Sequence, residues 1–249
     1  MEMKGKTALV TGGAIRVGKA IALGLAQAGA DVVINYHTSA AEAQATVAEI
    51  NALGVRGLAI QADVADPSQA QAMVAQIGST LGRLDILVNS SSRFQTTPVL
   101  TTTPEAWRQV LGVLLDGPFF LSQAAAPLMQ AGGAGAIINI LDLAAFEPWP
   151  NFIAHSVGKS GLLAMTRALA LELAPLIRVN AVAPGAVLAP PHYGPEKLKQ
   201  VAARTLLQRW GAPQDVADAV VFLARADYIT GETLTVDGGE RWGQRPRGG

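Results

Sequence analysis

The sequence predicts a doubly wound α/β domain, one parallel sheet covered by helices on both faces. Three observations carry that prediction. Short β-branched runs alternate with Ala- and Leu-rich segments along most of the chain. The strand-like runs are continuously apolar rather than alternating, as a sheet buried on both faces requires. No internal repeat, low-complexity tract or linker interrupts the 249 residues, so 1–249 reads as a single domain.

In order, "TALVTGG" leads into "VGKAIALGLAQAG", and "DVVINYH" into "AAEAQATVAEINALG". "VRGLAIQADV" precedes "SQAQAMVAQIGSTLG", and "LDILVNSSS" precedes "TPEAWRQVLGVLLDGPFFLSQAAAPLM". "GAIINILDL" comes before an apolar helix over 155–174, with "IRVNAVAPG" after it and "TGETLTVDGG" closing the series. Each strand is short and each helix carries an apolar stripe, the pattern of repeated βα units. Two segments break the alternation. Residues 189–213 read as a loop with helices and are expected to form a lid over a substrate pocket, with His192 and Tyr193 either meeting substrate or simply solvated. Residues 240–249, "ERWGQRPRGG", read as a basic, Gly-rich tail.

Composition narrows the function. Half of the residues are hydrophobic and 15% are charged, enough for a large core. The formal net charge is +0, which gives no footprint for nucleic acid or an anionic membrane. Cysteine is absent, which removes disulfides, thiolate metal sites and a thiol nucleophile, and fits a cytoplasmic protein. The start "MEMKGKTALVTGG" does not read as a secretory leader, and the long apolar runs are broken by Gly, Asn or charge. Three scattered histidines make no metal-ligand spacing, so no metal is expected.

The chemistry-bearing signal begins at the first turn. Gly12, Gly13 and Gly18 straddle a strand-to-helix junction. Glycines there let the backbone approach a pyrophosphate, and the helix N-terminus offers N–H donors. A second signal is "HSVGK": His155 and Lys159 are four apart, so both leave one face of a helix.

With "TGGAIRVG", "ADV" at 62–64, "LDILVN" at 84–89, Lys159, "RVNAVAPG" at 178–185 and "ITGETLTVDGG" at 229–239, the chain resembles the short-chain dehydrogenase/reductase family over essentially its whole length. Within it the chain most resembles the pteridine reductases. They share Arg16 in place of a glycine, the "YHTSAAEA" stretch at 36–43, "SSSRF" at 90–94, and Asp142 where most members carry a catalytic serine. The resemblance implies a Rossmann-type fold and an oxidoreductase that reduces a C=N or C=O group of a small, planar, pteridine-like or carbonyl compound. It implies that Gly12, Arg16, Val17 and Gly18 line the pyrophosphate, and that Asp63 and Val64 hold the adenine. Asn89, Ser90 and Ser91 would run along the ribose and nicotinamide, Lys159 would bind the ribose hydroxyls, and Pro184, Gly185 and Val187 would cover the carboxamide. Phe94 and Arg16 would meet a flat substrate ring, although a loop aromatic such as Phe94 also packs readily into a core. Trp149 either lines the pocket mouth or packs a turn. A homotetramer is expected, consistent with the apolar surplus on the helices at 103–131 and 155–174.

The coenzyme is read as NADP, with NAD as the alternative. NAD-using members usually end the second strand in a carboxylate, and Tyr36 stands there instead. The positions at which pteridine reductases place Arg or Lys are Ile15 and Thr38, so His37, Thr38 and Ser39 remain as phosphate donors, or as a solvated loop with a capping serine.

The catalytic set departs from the family. The family uses Asn, Ser, Tyr and Lys. Leu114, Asp142 and His155 occupy the first three places here, and Lys159 alone is retained. Three readings compete. His155 replaces the phenol as general acid with Asp142 orienting it. Alternatively Asp142 and a water supply the proton while His155 shapes the pocket. In the third, acid catalysis is gone and the protein is a dinucleotide-binding sensor or silent subunit.

Overall fold

The computed structural model describes residues 1–243. Seven strands form one sheet: β1 (Thr7–Val10), β2 (Asp31–Tyr36), β3 (Gly57–Gln61), β4 (Ile86–Asn89), β5 (Gly135–Ile140), β6 (Ile177–Pro184) and β7 (Thr233–Val236). The order is β3-β2-β1-β4-β5-β6-β7 and every pairing is parallel. The chain therefore reverses direction across the sheet between β1 and β4, and the crevice beyond their C-terminal ends is where such folds hold ligands.

The period of two along each strand divides the core into two layers. Ala8, Val10, Val32, Ile34, Val88 and Ile138 face one way, onto Ile21 and Leu25 of α1 (Arg16–Gln27) and Val216 and Val220 of α8 (Pro213–Arg225). Leu9, Val33, Leu87 and Ile137 face the other way, onto Met73 and Ile77 of α3 (Pro67–Leu81) and Leu121 and Met129 of α5 (Gly117–Ala131). Flanking these are α2 (Ala40–Ala52), α4 (Pro104–Leu111), α6 (Ile153–Leu173), α7 (Pro195–Ala202) and α9 (Glu240–Gly243).

Helix starts follow local chemistry. Asp66 caps α3 by accepting from the N–H groups of Ser68 and Gln69, with Pro67 in the first turn. Thr103 does the same for α4 through Ala106 N–H, and Asp215 accepts from Ala212 N–H at 2.7 Å at the start of α8. Between α4 and α5 a π-helical turn spans Gly112–Asp116 and drives Leu114 into a buried cluster with Val110 and Ala154. Gly158 on α6 makes room for it, since a Cβ there would stand 2.8 Å from Leu114 Cδ1.

Three sequence expectations change. The helix expected over 155–174 runs Ile153–Leu173, and α8, which the alternation did not reveal, completes the α1 face of the sheet. Segment 189–213 holds a single α-helix, α7, and is not among the residues lining the main cleft. Indole Nε1 of Trp210 donates to Leu198 O, folding the segment on itself, and His192 lies edge-on to Tyr193. The expected tail begins as α9, where Glu240 is buried, accepts from Ala186 N–H and pairs with Arg204 at 2.8 Å. Residues 244–249 of that tail lie outside the described residues.

Candidate active site

A cleft of about 580 Å³ opens at the C-terminal ends of the strands. Its floor is the first βα turn. Gly18 must be glycine, because a Cβ there would lie 2.2 Å from Gly12 O. Arg16 sits at φ 55°, a conformation that costs a side-chain-bearing residue about 1–2 kcal/mol. No side chain caps α1 at Ile15, so its first N–H groups are left for a ligand, and Gly12, Ala14, Ile15, Arg16, Val17 and Gly18 all line the cleft. Two buried polar residues hold this turn. Thr11 Oγ1 accepts from the N–H groups of Ser90 (2.9 Å) and Ser91 (3.0 Å). Asn35 takes the N–H of Gly13 on its carbonyl and that of Gly12 on Oδ1, and donates from Nδ2 to Ala62 O at 2.9 Å.

At one end of the cleft stand Tyr36, His37, Thr38 and Ser39, with Asp63 and Val64 opposite. Asp63 is fixed by accepting from Ala65 N–H at 2.9 Å. Ser90 and Ser91 line the middle and Pro184 the far wall. Three expected members are elsewhere. Asn89 is buried in the sheet and donates to Asn139 Oδ1 at 2.8 Å, while Asn139 donates onward to Thr166. It braces β4 against β5 instead of facing a ligand. Gly185 N–H is committed to Val236 O, and Val187 lines a separate pocket with Leu206 and Leu207.

The end of the cleft beyond β5 holds an interacting set of titratable groups. Asp142 and Lys159 line it, and His155 lies behind Asp142. His155 Nε2 and Asp142 Oδ2 are 2.7 Å apart, and the Asp142 side chain keeps 20% exposure against 1% for His155. The orientation is thus the reverse of the reading in which Asp142 positions a substrate-facing His155. The reason is the bend after β5: Asp142 Oδ1 accepts Ala144 N–H, which swings the carboxylate over the imidazole. His155 Nδ1 is buried without a hydrogen-bond partner. Trp149 stacks on the ring at 5.7 Å and Phe94 meets its edge at 5.1 Å. Trp149 therefore covers His155 and is not among the cleft-lining residues. Phe94 does line the cleft, 62% exposed, and stacks on Phe152. Its loop is stitched to α6 through Thr97 N–H to Asn151 O and Ala154 N–H to Thr97 Oγ1.

Electrostatics bind these groups together. Burial pushes the Asp142 carboxyl upward and is the largest single influence, but the His155 hydrogen bond, the charges of Lys159 and His155 and the Ala144 N–H together leave it below the usual carboxylate range. Burial holds the Lys159 ammonium below its usual range, partly offset by Asp142. Lys159 Nζ donates to Ile140 O at 2.8 Å. The arrangement presents a fixed carboxylate with an imidazole behind it and a buried cation beside it.

Sequence reasoning missed several cleft residues. Thr11 and Asn35 act through backbone partners that only the fold brings near. Ser92, Arg93, Val113 and Leu141 also line the cleft. The serine-rich "SSSRF" stretch was the one available pointer, since it contains Ser92 and Arg93 but assigns neither a role.

Known proteins resemble this chain over nearly its full length. The family model described as enoyl-(acyl carrier protein) reductase matches residues 13–240. The chain is 39% identical over 245 residues to L-rhamnose 1-dehydrogenase (NAD(P)(+)) of Sphingomonas sp. (strain SKA58), covering 95% of this chain and 96% of that one. It is 38% identical over 239 residues to the 3-oxoacyl-(acyl-carrier-protein) reductase FabG of Staphylococcus aureus (strain Mu50 / ATCC 700699), covering 94% and 97%. A solved structure of a blue fluorescent protein from a metagenomic library, in complex with NADPH, superposes with a TM-score of 0.88 at 37% identity, covering 96% of this chain and 99% of that one.

Proposed function

We propose, from the premise that this chain belongs to the short-chain dehydrogenase/reductase family, that it is an NADP(H)-dependent reductase acting on a C=O or C=N group of a small planar compound. The observation that carries this reading is that the glycine turn, Lys159 and Asp142 open onto one continuous cleft. The uncapped α1 N-terminus and the contact-limited Gly18 suit a dinucleotide phosphate. Gly12, Arg16, Val17 and Gly18 would hold the pyrophosphate, Asp63 and Val64 the adenine, Ser90 and Ser91 the ribose, Lys159 its hydroxyls and Pro184 the carboxamide. His37, Thr38 and Ser39, with Tyr36 where NAD-using members carry a carboxylate, favour the 2′-phosphate of NADP. Bound there, the dinucleotide supplies the hydride.

The chain's own residues handle the proton. Asp142 is the group that meets the substrate oxygen or nitrogen, and His155 is its reservoir across 2.7 Å. The donating form carries one extra proton on the pair. After transfer, the Asp142 carboxylate remains beside a neutral His155 whose one proton is on Nδ1, since the Nε2 proton is the one passed to Asp142. Because His155 Nδ1 is buried without a partner, the pair is recharged through the cleft. The donor must be protonated, so reduction slows as pH rises. Phe94 offers a ring face to a planar substrate, which suits a pteridine-like compound, whereas the L-rhamnose and 3-oxoacyl groups named for the relatives point to a broader class. A homotetramer is part of the proposal, carried by the apolar side chains left exposed on the outer helices.

A second reading is favoured by the burial of His155 and by Leu114 in the place of the family's asparagine. In it the protein binds NADPH without turnover, as a sensor or silent subunit. NADPH titration followed by turnover on dihydropteridines, quinones and ketones separates the two. Oxidation of NADPH by any of them supports the reductase, and tight binding with no turnover across the panel supports the sensor.

A further inference from the structure

Arg93 follows the serine-rich turn after β4 and lines the cleft next to Phe94. Two neutral amides fix its guanidinium: Nε donates to Gln95 Oε1 at 3.1 Å, and Nη2 to Gln109 Oε1 of α4 at 2.9 Å. Neither amide neutralises the charge, and none of the ion pairs among the described residues includes Arg93. The other cations of the cleft have evident work. Lys159 is matched by Asp142, and Arg16 belongs to the glycine turn. An exposed arginine usually keeps its rotamer freedom. One held by two glutamines has already lost it, which lowers the cost of gripping a planar anion.

We propose that Arg93 is a specificity-determining residue that takes a carboxylate on the substrate, so that the preferred substrates are small carbonyl or imine compounds bearing an acid group. This rests on the reductase reading above. A guanidinium matches a carboxylate with paired N–H donors, and the Nη1 amino group has no partner among the described residues. Asp142 adds direction. Its carboxylate repels the substrate's acid group from the proton-donating end, leaving the reducible C=O or C=N to turn toward Asp142 while the acid group stays at Arg93.

Benzoate and benzamide, planar probes that differ in charge and are not reduced, test this by calorimetry on the full chain, with and without saturating NADPH. Benzoate is expected to bind wild type about tenfold tighter than benzamide or better. Arg93→Gln should bring the two probes within roughly twofold, Arg93→Lys should keep part of the preference, and NADPH affinity should stay the same in both variants. Equal binding of the probes to wild type, no benzoate binding, or a preference that survives Arg93→Gln overturns the proposal. So does a large loss of NADPH affinity in Arg93→Gln, which would assign the guanidinium to the coenzyme. Failure of the reductase reading looks different: the benzoate preference would persist while no carbonyl compound, acidic or neutral, oxidises NADPH.

Discussion

Among single residues, one of two hydrogen-bonded groups faces the cleft. Asp142 does, and His155 sits behind it. His155→Phe should therefore leave NADPH binding intact, slow reduction, and flatten the fall in kcat at rising pH. An unchanged pH–rate profile in that variant contradicts the proton reservoir. Asp142→Asn removes both the substrate-facing acid and the carboxylate beside Lys159, so a loss of about 10²–10⁴ in kcat is expected from steady-state kinetics. It should also drive the Lys159 ammonium further below its ordinary range, because burial then acts on it unopposed. The sequence showed His155 and Lys159 on one helical face and Asp142 at a family position. It did not show the direction of the pair, because that depends on a single backbone N–H, Ala144, aiming the carboxylate. Arg93 was equally hidden, since its orientation comes from Gln109, sixteen residues on and on another element.

At the scale of elements, the glycine turn and the α4–α5 junction make separate predictions. Gly18→Ala forces a methyl against Gly12 O, and is expected to cost about 3 kcal/mol in denaturant unfolding and to weaken NADPH binding by at least tenfold. Leu114→Ala should open a cavity between the π-helical turn and α6, at about 2–5 kcal/mol, with little change in coenzyme affinity. Asp66 gives a pH test. Hydrogen bonds from the Ser68 and Gln69 side chains, then from their backbone N–H groups, lower its carboxyl from 3.8 to about 2. A folded-state pKa below the unfolded value contributes stability that is present above pH 3.8 and lost as pH falls toward about 2. Asp66→Asn keeps a capping oxygen but does not titrate, so this share of the acid dependence should vanish from unfolding curves recorded across that window. The strands and most helices were legible because burial on both faces leaves unbroken apolar runs. Helix α8 escaped because its start at Pro213 follows "ARTLLQRWGA", which carries no strand signal.

At the scale of the whole molecule, apolar surface remains on the outer helices: Leu171 is 82% exposed on α6 and Phe222 53% on α8. We propose that another subunit covers these side chains, so sedimentation velocity should give a homotetramer, and a monomer at micromolar concentration would contradict that expectation. The order of the sheet brings the first turn, the end of β4 and the start of α6 to one crevice, which we propose grips a nicotinamide dinucleotide. The direct measurement is a fluorescence titration of the purified chain with NADPH, repeated on Gly18→Ala. Saturable binding at one site per chain, tighter for NADPH than for NADH and weakened at least tenfold in the variant, is the predicted result. No saturable signal with either coenzyme, or equal affinity in Gly18→Ala, would contradict it.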